Sequence, residues 1–437
     1  MKYSLLLFLL FSQILSAQNP GNLLSLEDCI KIAKEKNFDI QLIRPTIDAA
    51  AADLTQSFGA YLPSANVNAG YSRSGGQIFN DLGLNPNQYS LNARMNYTIF
   101  DGFAREASFK RSETNLNATI LNSEQTVSNV LISIYRNYIA VIKNYQVVNV
   151  RRQDVIASKK SYERIQAYFE SGASNIGDVY ALESDLASKE LQLALAENEL
   201  DRSKTSLLTS IGLDPADNYD FVESSIPNEV SIMDMTEFRK EVGTMQSAFN
   251  EALKNRSDYL ATEQSFEAAK STVKIARASY IPSINANAGW IWSNDEISNF
   301  TENGRTTFGF NFNLPVFQNF QRNNQVQNAQ LGLEQQKINR NRVEQDIKSN
   351  LQTSYLNLQA AENQLELSDK ALKSFEKNFE IAKKRFELGA IDITAFLLAD
   401  TQYTKSKLDK INAVYSYYQA QKDLLWSMGK LENEIIN

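Results

Sequence analysis

The chain has 437 residues, a net charge of −7, one cysteine and no histidine. Without histidine it lacks the commonest general base and, with a single thiol, the ligands most zinc and transition-metal sites use. No basic run offers a nucleic-acid surface, no cofactor motif is present, and one cysteine cannot close an internal disulfide.

In chain order, Met1-Lys2-Tyr3 is followed by an apolar run from Leu5 to Leu15 and by Ser16-Ala17. One positive charge, a short apolar stretch and small residues before the cut predict a cleavable signal peptide over residues 1–17. That stretch is too short to span a bilayer as a helix, which needs about 20 residues. Cys29 follows the acidic pair Glu27-Asp28, which argues against lipidation, and the sequence assigns it no role.

A short helix is predicted from Leu26 to about Gly59, followed by a strand, a loop and a second strand. A proline-free helix then runs from about Ala104 to Glu170, a glycine-containing turn follows, and a return helix reaches about Ile211. At 1.5 Å per residue the uninterrupted helix is on the order of 100 Å long. Residues 212–243, with Pro215 and Pro227, read as a linker. The same order then recurs: a helix from Met245 to Ser279, two strands, a helix from Arg322 to Glu387, a turn, and a return helix to Gly429.

The recurrence is written in the residues. Tyr61-Leu62-Pro63-Ser64-Ala65-Asn66-Val67-Asn68-Ala69-Gly70-Tyr71 matches Tyr280-Ile281-Pro282-Ser283-Ile284-Asn285-Ala286-Asn287-Ala288-Gly289-Trp290 at an offset of 219 (280 − 61). Tyr168-Phe169-Glu170-Ser171-Gly172-Ala173 matches Arg385-Phe386-Glu387-Leu388-Gly389-Ala390 at 217 (389 − 172), as Tyr138 matches Tyr355. The two-residue change falls between Tyr71 and Ile99, beside a Gly/Asn-rich loop where insertions are tolerated. The chain therefore reads as an internal duplication, with a first repeat over 18–243 that includes the linker and a second over 244–437.

All four strands alternate with period two over roughly ten residues, the length and pattern of a transmembrane β-strand. One face carries Tyr71, Tyr97, Trp290, Trp292, Phe308, Phe310 and Phe312, expected to meet lipid. The other carries Asn66, Asn68, Asn92, Arg94, Asn285, Asn287, Asn311 and Asn313, a neutral polar set with one arginine that suits a water-filled lumen. A soluble antiparallel sheet with one face on a core is the competing reading. Four strands cannot close a barrel, and open edges in lipid leave backbone groups unpaired, so the chain is expected to oligomerise. Three copies close with twelve strands; two also close.

In the long helices Val127, Ile134, Val141, Val148, Val155, Tyr162 and Phe169 recur every seven residues, and the equivalent positions of the second repeat are Glu344, Leu351, Leu358, Leu365, Leu372, Phe379 and Phe386. This heptad-like seam needs partner helices, which the return helices supply. Gly172 and Gly389 stand just past helix ends, where a left-handed cap favours glycine.

The duplicated Tyr-(Leu/Ile)-Pro-Ser, the phrase Tyr97-Thr98-Ile99-Phe100-Asp101-Gly102 and the turn Phe169-Glu170-Ser171-Gly172-Ala173 before Asp178-Val179 resemble the outer membrane efflux protein family, the TolC-like channels. The resemblance covers nearly the whole mature chain. It implies an α+β membrane protein: four transmembrane strands per protomer, a twelve-stranded barrel in a homotrimer, and a long α-helical coiled-coil barrel in the periplasm. It implies a passive, non-enzymatic duct in the outer membrane of a Gram-negative bacterium, passing small molecules or polypeptides. The implied partners are a periplasmic adaptor (membrane fusion) protein, an inner-membrane RND or ABC exporter and outer-membrane lipid. Carried over by position, Gly172, Ala173, Asp178, Val179, Gly389, Ala390, Ile391 and Asp392 become the periplasmic tip, where the adaptor docks and the pore narrows. Asp178 has Ala395 as its counterpart, a departure from the family pattern. From a different class, a periplasm-spanning coiled-coil tether or surface adhesin is the alternative.

Overall fold

The computed structural model describes residues 23–76, 81–82, 85–297, 300 and 304–431. The expected signal peptide over 1–17 lies outside them. The elements are β1 (Leu23–Leu24), α1 (Leu26–Lys36), α2 (Phe38–Gln41), α3 (Ile43–Gly59), β2 (Ser64–Arg73), β3 (Asn87–Phe100), α4 (Ala104–Glu170), α5 (Ile176–Ile211), β4 (Asp220–Phe221), α6 (Ile232–Val242), α7 (Met245–Asn255), α8 (Ser257–Ala278), β5 (Ser283–Asn294), β6 (Gly304–Asn313), α9 (Gln321–Glu387) and α10 (Ile393–Ser427). No described helix is long and apolar enough to cross a membrane.

The chain forms two compact units that cut across the repeats: one from 23–37, 133–231 and 362–419, the other from the described residues of 38–132, 232–361 and 420–431. Both long helices, 67 residues each, pass from one unit to the other.

In the first unit β1 pairs in parallel with β4. Fully buried Tyr138 on α4 anchors that pair: its hydroxyl donates to the Val222 carbonyl at 2.8 Å and bonds Ser225 Oγ at 3.1 Å, and its ring packs edge-on against Phe221. Burial pushes the Tyr138 phenol up to about 12, so it stays a neutral donor. Cys29 on α1 is also buried, and burial pushes its thiol up to about 12 as well. A thiol held neutral and covered is chemically quiet.

The single helix expected over Leu26–Gly59 is broken at Asn37, and the one expected from Met245 at Arg256; both residues are extended. The two breaks are repeat equivalents with one cause. A return helix ends against each: Asn37 Nδ2 donates to the Ser210 carbonyl at 2.9 Å, and Arg256 Nη1 to the Ser427 carbonyl at 3.3 Å. Gly212 approaches so closely that a Cβ there would lie 2.3 Å from the Lys36 carbonyl oxygen. Continuous helix at Asn37 is traded for satisfied carbonyls at the end of α5.

In the second unit β2, β3, β5 and β6 form one antiparallel sheet in that order. The fourth strand, β6, begins at Gly304, four residues before Phe308, the first of its residues named from sequence, and ends at Asn313. Its partner among the described residues, β5, runs out at the pair Ser283–Asn313, and Pro315 has no N–H to extend the ladder. Each long helix is then entered through a left-handed phenylalanine, Phe103 (φ 67°) and Phe320 (φ 62°). These pack edge-on against Phe100 and Phe317, at ring separations of 5.4 and 5.6 Å.

Candidate functional site: the two-faced sheet and the helical tips

Strand register decides which side chains share a face. Val67 pairs with Ala93 and Ala93 with Trp290; Ala286 pairs with Tyr97 on one side and Phe310 on the other. One face of the sheet is therefore predominantly apolar. It is also exposed: Val67 at 72%, Phe308 at 81%, Phe310 at 78% and Phe312 at 67%. Phe308 and Phe310 stand opposite Ala288 and Ala286, large against small, so the rings project instead of stacking. Near the loop end Tyr71 packs on Tyr89 at 5.0 Å, and its hydroxyl donates to Asn87 Oδ1 at 3.0 Å. An aromatic body with a bonded polar tip suits a membrane–water boundary.

Trp292 departs from the expectation of a lipid-facing side chain. The residue is 2% exposed, and its ring stacks on that of Phe300 at 4.3 Å.

The opposite face gathers all eight polar positions named from sequence. Asn66 pairs with Arg94, Asn68 with Asn92, Asn285 with Asn311 and Ser283 with Asn313, and Asn311 Nδ2 donates to Asn287 Oδ1 at 3.1 Å. Sequence reasoning missed Arg305, which pairs with Ile291 on this same face. Extending the alternation of Phe308 and Phe310 backwards through Thr306 would have placed it there.

In the first unit the two helix–turn–helix tips have one construction. At Gly172 (φ 78°) the Ala173 N–H reaches the Tyr168 carbonyl at 2.7 Å; at Gly389 (φ 67°) the Ala390 N–H reaches Arg385 at 2.7 Å. These are Schellman closures, which need a left-handed residue after the helix. The next helix is then capped. Asn175 Oδ1 accepts from the Asp178 N–H at 3.0 Å, and Asp392 Oδ1 accepts from the Ala395 N–H at 2.8 Å. Asn175 and Asp392 are equivalent positions, so Asp392 is a cap where the first repeat uses an amide. The Asp178 carboxylate is likewise occupied, accepting from Ser174 Oγ at 3.1 Å and Asn175 Nδ2 at 2.9 Å. Val179 is buried with Ile165 and Leu182, against Ile393 and Leu397. Both tips line a cleft of about 770 Å³ that includes Gly172, Ala173, Asp178, Gly389, Ile391 and Asp392. Arg164 bridges to Glu387 across it at 3.1 Å.

A charged cluster in the same unit was not foreseen. Lys189 on α5 pairs with Asp185 at 3.0 Å and with Asp400 of α10, all three side chains at most 15% exposed. Ser158 of α4 donates to Asp185 at 2.6 Å. Close by, Asp154 is buried, accepts from Thr404 Oγ1 at 3.1 Å and faces Lys407 at 3.8 Å. Burial raises the Asp154 pKa against the pull of Lys407 and Thr404. For Lys189 burial works against the charge, but Asp400 and Asp185 outweigh it and the pKa is raised. A heptad seam read for apolar residues gives no hint of charges between helices. Among the described residues no cluster of His, Cys, Asp or Glu is arranged to hold a metal.

Residues 29–213 and 248–430 match the Outer membrane efflux protein family. The chain belongs to this family. The two matched stretches are the two copies of the duplication. Outer membrane protein TolC of Escherichia coli is 20% identical over 97% of this chain and 85% of its own length. TolC of Salmonella enteritidis is 20% identical over 89% and 78%. The solved Campylobacter jejuni CmeC outer membrane channel superposes with a TM-score of 0.79 at 18% identity, over 93% of this chain and 86% of that one. The open state of the Neisseria gonorrhoeae MtrE outer membrane channel does so at 0.74 and 16%, over 93% and 89%. This member of the efflux family is thus an outer-membrane efflux channel, built on the family's mostly helical fold with a small sheet.

Proposed function

We propose that three copies assemble into a passive trimeric duct, their sheets closing a twelve-stranded barrel through the outer membrane. One observation carries this reading. The four-stranded sheet has Val67, Phe308, Phe310 and Phe312 exposed on one face, polar side chains on the other, and, among the described residues, β2 and β6 each paired on one side only. In water such a face invites aggregation, and in lipid such edges leave backbone groups unsatisfied. Lipid outside and closure by further copies resolve both problems at once. The named aromatics other than Trp292 then face lipid, and the asparagines with Arg94 face the lumen.

The helical tips at Gly172–Val179 and Gly389–Asp392 form the inner entrance, where a periplasmic adaptor docks and an inner-membrane exporter of the RND or ABC class supplies the energy. Exposed Tyr168, Ile176, Tyr180 and Leu388 beside the turns support a contact surface there. Because Asp392 caps its helix and the Asp178 carboxylate is held by Ser174 and the capping Asn175, we assign them first to tip geometry and only through it to the gate. Residues 1–17 direct export and are removed, and the repeats divide at 243/244. No chemical step is assigned to the duct itself.

The test is direct. Purified chain should run as an SDS-resistant trimer and open ion-conducting pores in planar bilayers. Monomers without pores would return the protein to the tether reading.

A further inference from the structure

We propose that Arg94 and Arg305 form a cationic step on the lumen wall of the barrel that favours anionic solutes. The inference rests on the closed-barrel reading above and adds to it what the barrel selects.

The four strands contain no aspartate or glutamate; their charged residues are Arg73, Arg94 and Arg305. Arg73 falls on the apolar face at the loop end of β2, while Arg94 and Arg305 share the polar face. Their rows are consecutive on that face. Asn66, Arg94, Gly289 and Thr307 make one row across the sheet, and Asn68, Asn92, Ile291 and Arg305 the next. Two residues along a strand and two strands across put the backbone sites about 11–12 Å apart. That is close to the screening length of about 8–10 Å at moderate salt, so their potentials overlap.

Both side chains are exposed, and neither is ion-paired among the described residues. Their row neighbours are Asn, Ile, Gly and Thr, which offer no compensating charge. Gly289 in particular leaves space for Arg94, whose Cγ would lie 3.9 Å from a Cβ built there. The described acidic groups near this end, Asp81, Asp295 and Glu296, lie beyond the strand ends in the joining segments. An unneutralised arginine cannot lose its proton in this environment. In a trimer the step therefore holds six fixed positive charges lining water, the arrangement that gives anion preference in pores.

The experiment measures reversal potential in planar bilayers under a roughly tenfold KCl gradient at low ionic strength. Parent protein is compared with Arg94→Gln/Arg305→Gln and with Arg94→Glu/Arg305→Glu, each checked for SDS-resistant oligomer. The chloride-to-potassium permeability ratio should fall about two- to fivefold in the glutamine variant and further in the glutamate variant, the differences shrinking near 1 M salt. Inorganic hexametaphosphate added to the bath should block the parent at lower concentration than the glutamine variant. Oligomeric pores with the same permeability ratio and the same block in parent and glutamine variant would overturn the step while leaving the barrel intact. A parent that forms neither oligomers nor pores would remove the barrel, and the step with it.

Discussion

The sheet and the tip-bearing helical unit follow opposite rules of burial. In the sheet, Phe308, Phe310 and Phe312 are the exposed side chains. In the helical unit, Asp154, Lys189 and Asp400 are among the covered ones. Each rule would be costly in the other place. Phenylalanines projecting into water forfeit about 1.5–3 kcal/mol apiece, while an unpaired charge between helices costs several. The contrast is a statement about solvent. The sheet is built for a surrounding medium that is itself apolar, whereas the helices must bury charge only where a partner charge waits.

The largest expected effect attacks the buried cluster. Lys189→Met should cost about 3–5 kcal/mol, because Asp185 and Asp400 are left covered without a counter-charge. Urea unfolding measures the loss, and adding Asp185→Asn with Asp400→Asn should recover most of it. If the single change were as mild as an exposed one, the covered charges would not be coupled. Next comes the sheet. Phe310→Arg should cost about 2–4 kcal/mol in lipid and Asn311→Arg at most about 1, read from thermal melting of the reconstituted protein. Equal costs would erase the distinction between the faces.

A smaller effect is expected at the tips. Gly389→Ala should lose about 1–2 kcal/mol by forcing a Cβ into the left-handed region, and hydrogen exchange should quicken in the last turn of α9. The smallest effect sharpens the electrostatics. Asp154 has a pKa raised by burial, so its ionised form opposes folding above the ordinary carboxylate range and the opposition fades as pH falls through the raised value. Asp154→Asn should therefore raise the melting midpoint by about 1–3 °C at neutral pH, with the gain shrinking toward acid. A gain that grows on acidification would reverse the assignment.

Much of this was legible beforehand because it is periodic. Period two placed Asn66, Asn92, Asn285 and Asn311 on one face, and register then carried each pairing across the sheet. Proline-free length marked α4 at Ala104–Glu170, and glycine after each long helix marked the tips. What escaped was aperiodic. The breaks at Asn37 and Arg256 arise from return helices arriving more than 170 residues later in the chain. Trp292 is covered by Phe300, which follows it in a segment read only as a loop. Arg305 was missed because the fourth strand was started at Phe308, though parity alone reaches it.

The sequence by itself determined the duplication, the strand faces and the length of the helices, since these are properties of repeated local pattern. It also carried the family resemblance, since the same residues return at offsets of 219 and 217. Only the tertiary structure decided what each charge does. Asp392 caps a helix, Asp178 holds the capping Asn175, Asp400 answers Lys189, and Arg94 and Arg305 stand in neighbouring rows with no acid between them. The reason is physical: a charge acts through what lies within a few ångströms, and in this chain those neighbours are often far away in sequence.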